Sequence, residues 1–174
     1  MAAAMDGVSV DVSLDGSSLA LSVQRDLVVR LAVPEGFHLY ANPAPAGMIA
    51  VAVELDENPL LVVREVVYPP STTHQLADTA EQFEVHHGMV ELRLPVTING
   101  AVTGDDGVRQ VTIAGRVRWQ ACDDAVCELP ASQQFELAVP VEGPVLPQIM
   151  VPAGRSTAEP RAAQHFAQMK ERRR

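Results

Sequence analysis

The chain has 174 residues, of which 47% are hydrophobic, and it carries a formal net charge of −9 at pH 7. This length suits one domain with tails, and the hydrophobic content is too high for an intrinsically disordered chain. The acidic balance excludes the basic surface that nucleic-acid binding requires, and no apolar run has the length of a membrane span. We therefore expect no nucleic-acid partner and no direct membrane insertion.

The first seven residues predict an N-terminal tail. They lack both the charged start and the apolar stretch of a signal peptide. The chain is therefore expected to be either cytoplasmic or an excised domain of a longer protein.

Alternation of apolar and polar residues, the period of a half-buried strand, dominates the chain from residue 8 onward. It predicts strands in the segments 8–14, 19–23, 27–33, 49–55, 83–85, 90–98, 111–119 and 135–141. A β-branched apolar run at 60–68 predicts a more buried strand. The segment 37–47 is predicted to be irregular, and 71–82 to be a long loop. Eight or nine short strands at this spacing predict an all-β antiparallel sandwich over residues 8–142.

The end of the chain, residues 143–174, differs from this strand pattern. It begins with a proline-rich segment that predicts an extended exit from the domain. Ser156 followed by Glu159 fits a capping box, and Pro160 suits a first helical turn. We expect a short C-terminal helix.

The two cysteines of the chain, Cys122 and Cys127, are five positions apart. The alternation of the preceding strand places Trp119 in the core and predicts that Gln120 and Cys122 face solvent. A hairpin at this point can bring the two Cα atoms within about 6 Å, as a disulfide requires. A disulfide that closes so short a loop removes little conformational entropy from the unfolded chain and therefore stabilises the fold little. An exposed pair would suit thiol exchange better than structural stabilisation.

The spacing alone leaves three interpretations of this pair open. It suits a passive disulfide on a sandwich-type binding module, an exchanging dithiol, or two metal ligands. A metal would need two further ligands, for which Asp123, Asp124 and His38 are the candidates, although their spacing matches no known metal motif. Asp123 and Asp124 should also raise the thiol pKa values, because their negative charge opposes a thiolate.

Three segments resemble the N-terminal domain of the thiol:disulfide interchange protein DsbD. They are Gly36-Phe-His-Leu-Tyr40, Leu92-Arg-Leu-Pro-Val-Thr-Ile-Asn99 and Trp119-Gln-Ala-Cys122 through Cys127-Glu-Leu-Pro130, in matching order across roughly residues 8–142. The Gln-Ala-Cys-Asp-Asp-x-x-Cys-x-x-Pro stretch is the most specific of them.

The resemblance implies an immunoglobulin-like sandwich with protein-disulfide reductase activity in the periplasm or another extracytoplasmic space. It implies that Cys127 forms a mixed disulfide with thioredoxin-like partners and that Cys122 resolves it. It also implies that the loop from Thr72 to Gln82 takes the place of a cap over the pair, although this loop has no aromatic residue before Phe83. No cofactor and no metal are expected.

Six residues are expected to line the cysteine pair. They are Phe37, His38, Tyr40, Gln120, Asp123 and Asp124. His38, in the loop after Gly36, leaves two alternatives open: it could approach the cysteines and tune them, or be a solvated loop histidine, which is the favoured expectation. His86 and His87 are adjacent on a strand, so their side chains should point to opposite faces, and both are expected at the surface.

Overall fold

The computed structural model describes residues 7–75, 81–100 and 109–142, and all of them belong to the first of two compact units, Met1–Gly143. Within this part of the chain every regular element is a strand, and no helix there could cross a membrane. The strands are β1 Ser9–Leu14, β2 Leu19–Ala20, β3 Arg25–Ala32, β4 His38–Tyr40, β5 Ala52–Leu55, β6 Leu61–Val63, β7 Thr72–Gln75, β8 Gln82–His86, β9 Met89–Ile98, β10 Gln110–Trp119, β11 Ala121–Cys122 and β12 Ala131–Glu142.

Two four-stranded sheets enclose the main core. The first has the order β1-β3-β9-β6, and the second has the order β2-β12-β10-β5. All neighbours are antiparallel except β2 and β12. In β9 and β10 every second side chain is buried, because successive residues of a strand point to opposite faces. These inward side chains, such as Leu92 from β9 and Ile113 from β10, meet in one apolar core.

A third sheet, with the order β11-β4-β8-β7, carries the cysteines. Its strand β4 has two different faces. Leu39 points into the main core, while Tyr40 packs in a small separate cluster with Cys122 and Val85. The third sheet therefore uses the main core as its support and keeps its other face for the cysteine site.

The all-β antiparallel sandwich predicted from the sequence is confirmed, but several details are different. The predicted strand at 19–23 is only β2, and Leu21 and Val23 are exposed. The run at 60–68 is not a buried strand, because it forms only the short edge strand β6 and pairs on one side with β9.

Two segments predicted to be irregular contain strands of the third sheet. His38–Tyr40 forms β4, and Thr72–Gln75 forms β7. Strands of three or four residues are too short to show a clear alternation, and β7 has a polar sequence that satisfies its backbone by pairing with β8. The proline-rich exit and the C-terminal helix lie outside the described residues, so these and the domain limits remain predictions.

Candidate functional site

The two cysteines face each other across a tight hairpin that follows β11. Glu128 N donates a hydrogen bond to Ala121 O (2.9 Å), and Asp123 N donates one to Val126 O (3.0 Å). The Asp123 carboxylate accepts hydrogen bonds from the amides of Ala125 (2.7 Å) and Val126 (2.6 Å). An aspartate at this place fixes the turn because its side chain replaces a backbone acceptor.

Within this hairpin Cys122 and Cys127 form a disulfide, with their Cα atoms 4.0 Å apart. The two sulfurs differ in access. Cys122 is 1% exposed, whereas Cys127 is half-buried and is flanked by the exposed side chains of Val126 and Leu129. An approaching molecule therefore meets Cys127 first.

The prediction that Cys122 and Gln120 face solvent is wrong, because all four residues from Trp119 to Cys122 are buried. The chain passes here from β10 of the second sheet to β11 of the third sheet. Both faces of β11 are covered, because Ala121 packs in the main core and Cys122 in the small cluster. Gln120 stays inside because its amide is paired: Ile49 N donates to Oε1 (3.0 Å), and Nε2 donates to Glu128 O (3.0 Å). This side chain ties the returning arm of the hairpin to a neighbouring loop.

Two aromatic rings lie beside the disulfide. The Tyr40 hydroxyl oxygen is 3.9 Å from Cys127 Sγ, and the Phe83 ring packs edge-on against the Tyr40 ring at 6.0 Å. Burial raises the pKa of Tyr40, so its hydroxyl keeps its proton near neutral pH. Phe83 was missed as a site residue, although it is the first aromatic residue after the predicted loop. Phe37 packs against the main core and not in the small cluster around Cys122.

Three histidines gather beside the cysteine hairpin. The His38 ring centroid lies 4.5 Å from that of His74 and 5.7 Å from that of His87. His74 Nε2 is 3.6 Å from Asp124 Oδ1, at the tip of the cysteine hairpin. The expectation that His38 is a solvated loop residue is wrong, because strand β4 places it at 3% exposure opposite Cys122. His74 was not predicted as a site residue, because its segment shows no alternation of apolar and polar residues.

The charges around the disulfide oppose one another. Burial lowers the pKa of His38, the neighbouring His74 and His87 lower it further, and Asp124 and Asp123 raise it. The amides of Val126 and Ala125 lower the pKa of Asp123, so this carboxylate stays ionised beside the sulfurs. The site therefore combines a fixed negative charge at the turn with a buried imidazole, His38, whose pKa is lowered.

His86, expected at the surface, is in fact buried at 4% exposure at the end of β8, directly opposite Leu39 of β4. The Pro70 carbonyl favours its charged form, but neither ring nitrogen makes a hydrogen bond of standard geometry to a described residue. The effect of burial is larger than the effect of this carbonyl, so the pKa of His86 is lowered.

Stability should fall as the pH drops below about 6.5, the usual pKa of histidine in an unfolded chain. His38 and His86 have lowered pKa values in the fold, so the unfolded state takes up protons first. Each histidine then contributes a slope of up to about 1.4 kcal/mol per pH unit until its folded pKa is reached. Melting temperatures measured between pH 7.5 and 5 check this. The His38→Gln/His86→Gln variant should show a flatter dependence, and an unchanged slope would contradict the assignment.

Among residues 7–75, 81–100 and 109–142, no three histidine, cysteine or acidic side chains are placed to hold a metal ion. The chemistry that the described site offers is that of its sulfurs, its imidazoles and the Tyr40 hydroxyl. A disulfide with one accessible sulfur can be attacked by an external thiolate.

One family model matches this chain, and the solved structures that match it include two N-terminal domains. Residues 17–139 match the family model of the thiol:disulfide interchange protein DsbD, N-terminal. The DsbD N-terminal domain of Neisseria meningitidis in its reduced form is 14% identical, with a TM-score of 0.46 over 74% of this chain and 85% of that one. The N-terminal periplasmic domain of ScsB from Proteus mirabilis is 13% identical, with a TM-score of 0.42 over 76% of this chain and 44% of that one. No curated protein matches.

The family match covers the sandwich from β2 into β12, together with the cysteine hairpin, and leaves β1 outside. It includes the two bonded cysteines, and the disulfide joins them at the place where the resemblance of the sequence is most specific. The chain therefore belongs to the family of the DsbD N-terminal domain, a family of thiol–disulfide interchange.

Proposed function

We propose that this domain passes reducing equivalents between thioredoxin-like proteins through the Cys122–Cys127 pair. The observation that supports it best is the unequal access of the two sulfurs. Cys122 is 1% exposed, while Cys127 is half-buried between exposed apolar side chains. Disulfide exchange requires a thiolate to reach one sulfur of the bond, so the partner attacks Cys127.

The exchange then runs through a mixed disulfide. The partner's thiolate bonds to Cys127 Sγ, the Cys122–Cys127 bond breaks, and Cys122 leaves with the electron pair. The partner's second thiol next attacks the partner's own sulfur in the mixed disulfide and releases Cys127. The domain gains two electrons and two protons, which the partner's dithiol loses. When the reduced domain donates, Cys127 attacks the partner's disulfide and Cys122 resolves the mixed species.

We place this exchange outside the cytoplasm. A disulfide that must persist between encounters with partners is favoured in oxidising compartments, where thiols are not held reduced.

Trapping the mixed disulfide tests the proposal. The Cys122→Ser variant keeps the accessible thiol but cannot resolve. It should form a stable covalent adduct with a thioredoxin-like protein whose own resolving cysteine is replaced by serine and whose remaining cysteine is activated as a mixed disulfide with 2-nitro-5-thiobenzoate, which leaves when Cys127 attacks. The Cys127→Ser variant should form little, because its remaining thiol is buried. Adducts are counted on non-reducing gels and by intact mass, with the double serine variant as the blank. Equal trapping by both single variants would overturn the assigned roles. A wild-type pair that no reduced thioredoxin-like protein with both of its cysteines can reduce would indicate a passive disulfide.

A further inference from the structure

His38 occupies a special place relative to the disulfide. It lies directly opposite Cys122 in the antiparallel pairing of β4 with β11. Side chains of directly opposed residues share one face, with Cβ atoms about 4.5–5.5 Å apart. Tyr40, two residues along β4 and hence on the same face as His38, packs against Cys122. The imidazole and the Cys122 sulfur therefore stand side by side on one face of the third sheet.

Breaking the disulfide requires the buried sulfur of Cys122 to leave with a negative charge. When an external thiolate attacks Cys127, Cys122 must leave as a thiolate at 1% exposure, with Asp123 and Asp124 in the adjoining turn. Burial and negative charge both disfavour a thiolate, and a leaving thiolate of raised pKa departs slowly. A nearby proton donor would remove this obstacle.

Resting on the proposed exchange, we propose that protonated His38 is the general acid that donates a proton to Cys122 Sγ as the disulfide breaks. The Cys122–Cys127 bond opens, its electron pair stays on Cys122, and the His38 proton bonds to that sulfur, leaving a neutral imidazole. In the reverse direction the neutral imidazole accepts the proton when Cys122 attacks the mixed disulfide. Imidazole suits this role because it changes charge near neutral pH.

The surroundings of His38 equip it to exchange protons with solvent. The titratable side chains that face it are His74 from β7, His87 after β8, Asp123 and Asp124 from the hairpin, and Tyr40 from its own strand. His74 lies between His38 and the exposed carboxylate of Asp124. Burial, His74 and His87 lower the pKa of His38, which makes its protonated form a stronger acid.

The pH dependence of reduction by dithiothreitol tests this proposal without a protein partner. The thiolate fraction of the reagent rises about tenfold per pH unit below its own pKa. If protonated His38 takes part, its fraction falls by the same factor above its pKa, and the rate becomes flat. The wild-type profile should therefore rise and then level off at a break below pH 6.5, the ordinary histidine pKa. A profile that rises steadily through this range would overturn the proposal.

Two variants test whether the break in the pH–rate profile comes from His38. His38→Gln should remove it and slow reduction at pH 6 by about tenfold or more, because general acid catalysis typically contributes at least about a hundredfold and only part of His38 is protonated at this pH. His87→Gln, the matched control, removes a histidine that lowers the His38 pKa, so the break should stay and move to higher pH. Thiols are counted by alkylation after an acid quench, and circular dichroism checks the fold.

A break that persists in His38→Gln would overturn the role of this residue. Should His38→Gln fail to fold, the wild-type and His87→Gln profiles still decide whether a break exists and whether it responds to the neighbouring charge. A failure of the proposed exchange function gives a different result from a failure of the His38 proposal. In that case dithiothreitol reduces the pair with the expected break, while no thioredoxin-like protein is trapped by Cys122→Ser.

Discussion

Replacing Gly115 by valine is expected to destabilise the sandwich by about 3 kcal/mol, the upper range for overpacking a core. Gly115 lies on the buried face of β10, directly opposite Leu55 of β5. A Cβ atom at this position would lie 2.4 Å from the Glu54 carbonyl oxygen and 3.0 Å from Leu55 Cα. Both are backbone atoms of a paired strand, so they cannot move away without opening the β5–β10 pairing. Denaturant unfolding measures the change.

Thr112→Val on the solvent face of the same strand is the control for Gly115→Val. Thr112 is exposed, and substitutions at such positions usually change the free energy of unfolding by less than about 0.5 kcal/mol. Gly115→Ala should already show a large part of the loss, because the clash begins at Cβ. A loss below about 1 kcal/mol in Gly115→Val would mean that β5 moves aside freely.

The sandwich could be predicted from the sequence because its long strands alternate strictly. In β9 and β10 the buried positions are the apolar ones, so period and fold coincide. Gly115 interrupts the apolar set of β10, and the sequence alone gives no sign that a neighbouring backbone fills its place. That approach depends on the register of β5 against β10, which only the three-dimensional structure supplies.

The cysteine site was predictable only in part, for a different physical reason. The hairpin and its two cysteines follow from local spacing. The burial of Cys122 does not, because the chain changes sheets between Trp119 and Cys122 and is then covered on both faces. Extrapolating the alternation of β10 past its end was therefore wrong.

The histidine cluster was even harder to predict from local sequence patterns than the burial of Cys122. His38, His74 and His87 come from three separate stretches of the chain, and none of those stretches has a periodicity that relates it to the cysteines. Their meeting depends on the pairing of β4, β8 and β7 in one small sheet. Non-local pairing of short polar strands leaves almost no trace in sequence, so a site built on it must be read from the structure.

Replacing Val126 and Leu129 together by asparagine should slow exchange with a thioredoxin-like protein by about 30-fold, while reduction by dithiothreitol stays nearly unchanged. These side chains are 63% and 84% exposed on either side of half-buried Cys127. A partner whose thiolate reaches this sulfur must cover them. Fully burying one valine or leucine side chain contributes about 1.5–3 kcal/mol, so a loss of about 2 kcal/mol is expected when both are replaced. That free energy corresponds to about a 30-fold change in affinity.

Asparagine is chosen because it is polar but uncharged, so it leaves the electrostatics around Cys127 and the approach of a small thiolate almost unaltered. The matched control is Val62→Asn with Val67→Asn, two valines that are 46% and 55% exposed on and beside β6, in a different sheet from the cysteine hairpin. Stopped-flow rates with the protein partner and with dithiothreitol are compared for both pairs. Equal loss of both rates in the Val126/Leu129 variant would show a disturbed hairpin, and no loss with the protein partner would show that docking avoids these side chains. If only the rate with the protein partner falls, Val126 and Leu129 favour exchange with folded thiol proteins over small thiols. The reason is that only a folded protein surface can bury both side chains when its thiolate reaches Cys127.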